Sequence, residues 1–163
     1  MSDNIIVAPG SAPVNLQCLG CAAAEFGWTV KFAQSVLQAA SGNVSEIAAI
    51  ILHKSAVGED CSWPEAILHV KSVLPGVACI VCHGFSEPID WPALSAAGAF
   101  HAVWLPLRQS EIRKSLGFVS EARQRLASPI PMPQRLSTEP DSPPSAPLSG
   151  GSHPPTLPSR YLH

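Results

Sequence analysis

The run from Ile47 to His53, I-A-A-I-I-L-H, constrains the fold of this chain more than any other stretch. Six consecutive apolar residues, three of them β-branched, are typical of a short strand that is buried on both faces, as in the centre of a parallel sheet. A second run, Val77 to Cys82, is also followed by a histidine, His83. Ligand and reaction sites of open parallel sheets lie beyond the carboxyl ends of the strands. The two histidines therefore mark the place where function is expected.

The composition is that of one globular domain without an electrostatic attraction to polyanions. Apolar residues make up 46% of the chain and charged residues 13%, with a net charge of -2 and a pI near 6.3. These values predict neither a nucleic-acid-binding surface nor binding to an acidic membrane. The N-terminus has no basic segment, and no apolar run approaches about 18 residues. We therefore expect a cytoplasmic protein.

Five predicted strands alternate with five predicted helices. The strands are Asn4–Ala8, Trp28–Ala33, Ile47–His53, Val77–Cys82 and Ala99–Leu105. The helices are Pro13–Phe26, Gln34–Ala40, Ser62–Val73, Asp90–Gly98 and Arg108–Ala127. The third helix begins with a capping box, and the last has one apolar stripe. This alternation predicts a parallel sheet covered by helices on both faces.

The segment from Ser128 to His163 differs in composition from the rest. It has 10 prolines in 36 residues, frequent serine and little apolar clustering. Such a segment cannot bury enough apolar surface to offset its loss of conformational entropy. We predict a domain of residues 1–127 followed by a disordered proline-rich tail, which acts as a solvated tether or, alternatively, binds a partner as a polyproline II segment.

The five cysteines are Cys18, Cys21, Cys61, Cys79 and Cys82, an odd set that predicts no disulfide framework. Cys79 and Cys82 lie three apart on a strand, so their side chains face opposite sides and cannot easily share a metal. Cys18 and Cys21 lie on one face of a helix, but a metal there would need ligands from elsewhere. We interpret the cysteines as small, buried apolar residues.

Three segments together resemble the receiver domain of bacterial two-component response regulators, the CheY-like family. They are I-A-A-I-I-L-H-K-S-A-V-G-E-D, A-C-I-V-C-H-G and A-G-A-F-H-A-V-W-L-P-L, within a resemblance that covers roughly residues 4 to 127. The resemblance implies a flavodoxin-like α/β fold with a five-stranded parallel sheet in the order 2-1-3-4-5. It also implies a role in intracellular signal transduction, in the context of a phosphorelay.

Every residue that carries receiver chemistry is changed in this chain. By the resemblance, His53 stands at the phosphoacceptor aspartate, His83 at the hydroxyl that contacts the phosphoryl group, and Leu105 at the paired lysine. Ala8 and Pro9 stand where an acidic pair holds magnesium, and neither offers a carboxylate oxygen. Phosphoryl transfer depends on a metal and on cations that neutralise developing charge. We predict a pseudo-receiver that is not phosphorylated on aspartate, needs no cofactor and is not an enzyme.

Protein interaction is the first of two predicted functions. Receivers signal through the face formed by the fourth helix, the last strand and the fifth helix, to which this chain contributes Trp91, Ala102, Trp104 and Leu107. Ala102 replaces the family's switch aromatic. Tryptophan is enriched at interface hot spots, so we expect a protein partner or a homodimer at this face. The alternative for both tryptophans is ordinary core packing.

A sensor of a metal or small ligand at His53 and His83 is the second predicted function. Imidazole is a common ligand of transition metals, but two ligands are too few. Further candidate ligands are Cys82, Glu59, Asp60 and His101. The alternative is that both histidines are neutral, hydrogen-bonded residues that fill a pocket without its usual charges.

Overall fold

The computed structural model describes residues 3–58 and 60–127, which contain a parallel sheet of five strands. The strands are β1 (Asn4–Ala8), β2 (Thr29–Phe32), β3 (Ile47–Leu52), β4 (Ala78–His83) and β5 (Ala99–Trp104). Their order in the sheet is 2-1-3-4-5, and all four neighbouring pairs are parallel. The predicted flavodoxin-like α/β sheet is confirmed.

Five helices connect or follow the strands: α1 (Leu16–Ala24), α2 (Val36–Ala40), α3 (Trp63–Val73), α4 (Trp91–Ala97) and α5 (Gln109–Ala127). Local chemistry sets several of their ends. Ser62 and Glu65 form the predicted capping box at the start of α3. Asp90 accepts a hydrogen bond from the backbone N–H of Ala93 at the start of α4, and Gly98 ends that helix in the left-handed conformation.

Two apolar layers enclose the sheet. On one face, Ile50, Leu52 and Val81 pack with residues of α2, α3 and α4. On the other face, Ile51 and Cys82 pack with residues of α1 and α5. Burial of one such aliphatic side chain contributes about 1.5–3 kcal/mol, so the two layers position the carboxyl edge of the sheet firmly.

The strands differ in burial according to their place in the sheet. All residues of β1 and β3 are buried, whereas the edge strands β2 and β5 are largely half-buried or exposed. This difference explains why the central strands have continuous apolar sequences and the edge strands do not. It also leaves one side of β5 open to solvent.

The observed elements lie within three residues of their predicted bounds. His53 and Leu105 fall just outside β3 and β5, because each begins the loop that follows its strand. The predicted tail, residues 128–163, lies outside the described residues, as does Glu59. Within the described part of the chain, no helix has the length and apolar character needed to cross a membrane.

Candidate functional site

The end of β1 and the loop after it contain Ala8 and Pro9, the positions that the resemblance assigns to the magnesium site of receivers. Ala8 and Pro9 are both buried, and neither side chain carries an oxygen. Ser55 fastens this loop to the loop after β3, since its Oγ lies 3.1 Å from the Ser11 backbone nitrogen and 3.4 Å from the Pro9 carbonyl. Gly10 lies against Ser55 with a φ of 56°, a conformation that favours glycine. The loop is thereby closed over the end of β1 and β3.

His53, which the resemblance places at the phosphoacceptor position, caps the short 3-10 turn Lys54–Ala56. Its Nδ1 lies 2.7 Å from Ser55 Oγ and accepts from the Ser55 backbone N–H at 3.4 Å. The other ring nitrogen, Nε2, lies 3.8 Å from Glu87 Oε2. Burial lowers the pKa of His53; Glu87 opposes this effect, while Lys54 and His83 add to it. The His53 imidazole is therefore uncharged at neutral pH and has a structural role.

An ion pair bridges the loops after β3 and β4. Lys54 Nζ lies 2.6 Å from Glu87 Oε1, and both side chains are mostly shielded from solvent. Burial alone would raise the pKa of Glu87, but the hydrogen bond and charge of Lys54, with His53 and a backbone hydrogen bond at Gly84, hold that pKa below its ordinary value. The pair supplies charges of both signs that neutralise each other within the pocket.

His83, at the end of β4, is 2% exposed. Its Nδ1 donates to the Gly84 carbonyl at 3.1 Å, and its Nε2 has no hydrogen-bond partner among the described residues. Its ring lies 5.1 Å from the ring of Trp104, the residue opposite it in the β4–β5 register. His83 therefore connects the pocket to the outer strand.

The residues at the end of β5 supply no cation to the pocket. Leu105 donates its backbone N–H to the His83 carbonyl at 2.8 Å, and its side chain packs against the layer formed by α1 and α5. The Leu105-Pro106 peptide bond is cis. The position that the resemblance assigns to a lysine is thus an apolar packing position.

Four exposed aromatic side chains lie on β5 or on the segments beside it. Trp104 is 45% exposed, Phe85 83%, Phe118 51% and Trp91 39%. The Phe85 and Trp104 ring centroids are 4.7 Å apart. We call these four residues the β5 aromatic surface. Phe32 on β2 is the other exposed aromatic residue in the described part of the chain.

Two residues predicted for this face are placed differently. Leu107 is 6% exposed and packs in the layer with α1 and α5, so the prediction that it is available to a partner is wrong. Ala102 is partly buried and packs toward the opposite layer, although it also lines a shallow cavity beside Trp104. Trp91 and Trp104 are exposed, as a docking surface requires.

Two of the five cysteines are buried as predicted, and the other three are not. Cys79 and Cys82 lie in opposite layers, as predicted, and burial raises the pKa of each thiol to about 12. The expectation of burial is wrong for the others, because Cys21 is exposed and Cys18 and Cys61 are half-buried. They lie on a helix and a loop at the surface, where no sheet covers them.

The further candidate ligands do not gather around the two histidines. Cys82 belongs to the opposite layer from His83, and His101 packs against Phe118, with the two rings 5.9 Å apart. Asp60 is exposed. Across residues 3–58 and 60–127, no group of three or more histidine, cysteine or acidic side chains is placed to hold a metal ion.

Some residues of this site have no counterpart in the sequence analysis. Glu87, Lys54 and Ser55 complete the pocket, and Phe85 and Phe118 extend the surface around Trp104. Their position in the loops after the central strands could have indicated some of these residues, because such loops meet at one edge of a parallel sheet. The spacing along the chain does not indicate which loop residues face one another.

The strand order and the helices on both faces define a receiver-type fold, and solved structures agree. A response regulator receiver domain protein from Clostridium thermocellum matches with a TM-score of 0.60 and 16% identity, covering 77% of this chain and 99% of that one. A response regulator from Thermotoga maritima matches with a TM-score of 0.56 and 15% identity, covering 74% and 99%. A two-component response regulator from Clostridium difficile matches with a TM-score of 0.55 and 14% identity, covering 78% and 100%.

The chain therefore has the fold of response regulator receiver domains, and the predicted resemblance is confirmed at the level of fold. No protein-family model matches the sequence. No curated protein sequence matches it either.

Proposed function

We propose that this protein acts in intracellular signalling as a pseudo-receiver, a binding module that engages a protein partner or a second copy of itself without phosphorylation. The observation that carries the proposal is the β5 aromatic surface. Large aromatic side chains are costly to leave in water and are enriched where partners bind. Four of them around one edge strand form a surface suited to docking.

The pocket supports the phosphorylation-independent part of the proposal. His53 offers a neutral ring that is already engaged with Ser55, and Ala8 and Pro9 offer no oxygen to a metal. The Lys54–Glu87 ion pair satisfies the charges of the pocket internally. A pocket closed in this way holds one arrangement without a phosphoryl group.

Partner capture tests the binding function. The full chain and two variants, Trp104→Ala and Phe32→Ala, are immobilised and exposed to extract of the native host, and retained proteins are quantified by mass spectrometry. We expect proteins that are retained by the wild type and by Phe32→Ala but lost from Trp104→Ala. Phe32 is a matched control, because it is 54% exposed on the opposite edge strand. Equal retention by all three proteins would contradict the proposal.

A small phosphodonor tests the independence from phosphorylation. The full chain is incubated with acetyl phosphate and Mg²⁺, and its intact mass is measured. We expect no phosphate adduct and an unchanged set of captured proteins. A stoichiometric adduct that alters capture would show that phosphorylation controls this domain.

A second candidate function is the sensing of a small ligand at the histidine pocket. It is favoured by one observation, the buried His83 Nε2 that lacks a hydrogen-bond partner among the described residues. A native mass spectrum of the protein from its own host tests this candidate. A bound mass that disappears in His83→Ala and in His53→Ala would support a sensor, and a clean apo mass would leave binding through the β5 aromatic surface.

A further inference from the structure

A carboxylate oxygen next to Trp104 lacks a partner. Glu111 lies in the first turn of α5, and its Oε2 is buried without a hydrogen bond from any described residue. An ionised oxygen that is removed from water and left without a donor is unfavourable, and native proteins rarely leave one unsatisfied. Glu111 also lines two surface cavities, so a rotation of its carboxylate toward them would let this oxygen accept a hydrogen bond from a ligand.

Two cavities adjoin this carboxylate, and Trp104 lines both. The larger, about 340 Å³, is lined by Phe85, Trp104, Leu105, Pro106, Arg108 and Glu111. The smaller, about 270 Å³, has Glu111, Lys114 and Phe118 in its wall. A ligand in either cavity would contact an aromatic ring and the Glu111 side chain together.

Three charged side chains line the two cavities, one acidic and two basic. Glu111 belongs to both cavities, Arg108 only to the larger and Lys114 only to the smaller. Arg108 and Lys114 are exposed, and neither forms a salt bridge with Glu111 among the described residues. The surface thus presents a central acidic group between two cationic side chains.

We propose that this site binds an arginine side chain of a partner protein, within a segment where acidic residues flank that arginine. A guanidinium group is planar, stacks on aromatic rings and donates paired hydrogen bonds to a carboxylate. It therefore satisfies Glu111 and covers Trp104 at once. The acidic residues on either side complement Arg108 and Lys114. This inference rests on the proposed binding function and adds the chemistry of the partner.

Synthetic peptides test the choice of side chain. Three fluorescent peptides are compared on the full chain by anisotropy: a central arginine flanked by glutamates, the same peptide with citrulline, and a central arginine flanked by lysines. Citrulline keeps the shape of arginine but removes its charge. We expect the first peptide to bind roughly tenfold or more tightly than the second, the effect of one charge-assisted hydrogen bond. The lysine-flanked peptide should bind weakly.

Protein variants test whether Glu111 is the residue that recognises the arginine side chain. Glu111→Gln should abolish the preference for arginine over citrulline while it leaves the fold intact, as measured by thermal unfolding. Glu121→Gln is the matched control, because Glu121 lies on the same helix, is 62% exposed and pairs with Arg125. That variant should keep the full preference. Lys114→Glu, which reverses the charge at this position, should shift the preference toward the lysine-flanked peptide.

The outcomes separate this inference from the proposed function. Failure of all three peptides to bind, or equal affinity for the arginine and citrulline peptides, would overturn the arginine site. If Trp104-dependent capture of proteins persisted in that case, the binding function would stand with a partner of other chemistry. Loss of that capture as well would remove both proposals.

Discussion

The pocket at the ends of β3 and β4 and the surface beside β5 differ in whether their carboxylate is paired with a cation. In the pocket, Lys54 pairs with Glu87, and His53 is engaged by Ser55. Beside β5, Glu111 has a buried oxygen without a partner, and the neighbouring aromatic rings are exposed. A carboxylate that already pairs with a cation gains little from a cationic ligand, whereas a carboxylate without a cation partner gains from one. Receiver-type architecture thus supports different uses of its two regions.

One contact joins the two regions. The rings of His83 and Trp104 lie 5.1 Å apart, so the buried pocket histidine supports the exposed tryptophan from behind. Packing against His83 therefore helps to hold the Trp104 ring in place. The comparison predicts that damage to the pocket lowers stability and that damage to the surface lowers binding.

The largest expected effect is a contrast in stability between two neighbours at the end of β5. Leu107→Ala should lower the free energy of unfolding by about 2–5 kcal/mol, because it removes buried packing. Trp104→Ala should cost only about 1 kcal/mol, since much of its side chain already contacts water, yet it should abolish partner capture. Urea denaturation measures the first quantity. Equal losses of stability would break the distinction between core and surface.

The next effect concerns the closure of the pocket. Gly10→Ala should destabilise the protein by about 2 kcal/mol, because alanine is strained at a positive φ and its methyl group would collide with Ser55. Gly42→Ala is the control, as no atom lies within 4 Å of its added Cβ and its φ is ordinary. Chemical denaturation of both variants measures the difference. Similar stabilities would show that the β1 loop is not tightly closed.

The smallest effect is a dependence of stability on pH. Burial lowers the pKa of both His53 and His101 below the ordinary value of 6.5. The unfolded chain then takes up protons first as the pH falls through 6.5, so the free energy of unfolding should decrease on acidification. The lowered pKa of Glu87 acts only below its ordinary value of 4.5.

Urea midpoints at pH 7.5 and pH 5.5, roughly one unit on either side of the ordinary histidine pKa, measure this dependence. His53→Gln should flatten the change between the two conditions, and His101→Gln should flatten it separately. A variant of His53 with an unaltered pH dependence would show that its ring is not held neutral by the pocket.

Sequence reasoning located the secondary structure because the relevant signals are local. The apolar run of β3, the capping box of α3 and the glycine after α4 each act over a few residues. The prediction that Leu107 is available to a partner was wrong, because its side chain packs in the layer with α1 and α5. Sequence reasoning failed also for Cys21, whose exposure depends on how far α1 is covered by α5.

The candidate site was predicted in part for the same reason. His53, His83 and Trp104 stand at strand ends, where position in the chain fixes position in the sheet. Glu87 and Glu111 come from a loop and a helix whose orientation follows from packing. No spacing in the sequence associates Glu87 with Lys54, or Glu111 with Trp104.

The sequence by itself determined the alternation of strands and helices and the buried centre of the sheet, because both depend on residue type and local order. It also placed His53, His83 and Leu105 at the positions that the resemblance assigns to phosphorylation. Tertiary structure alone decided that the pocket is neutralised by Lys54 and Glu87 and that Glu111 lies unpaired beside Trp104. The physical reason is that hydrogen bonds and ion pairs depend on distances of a few ångströms between segments far apart in the chain.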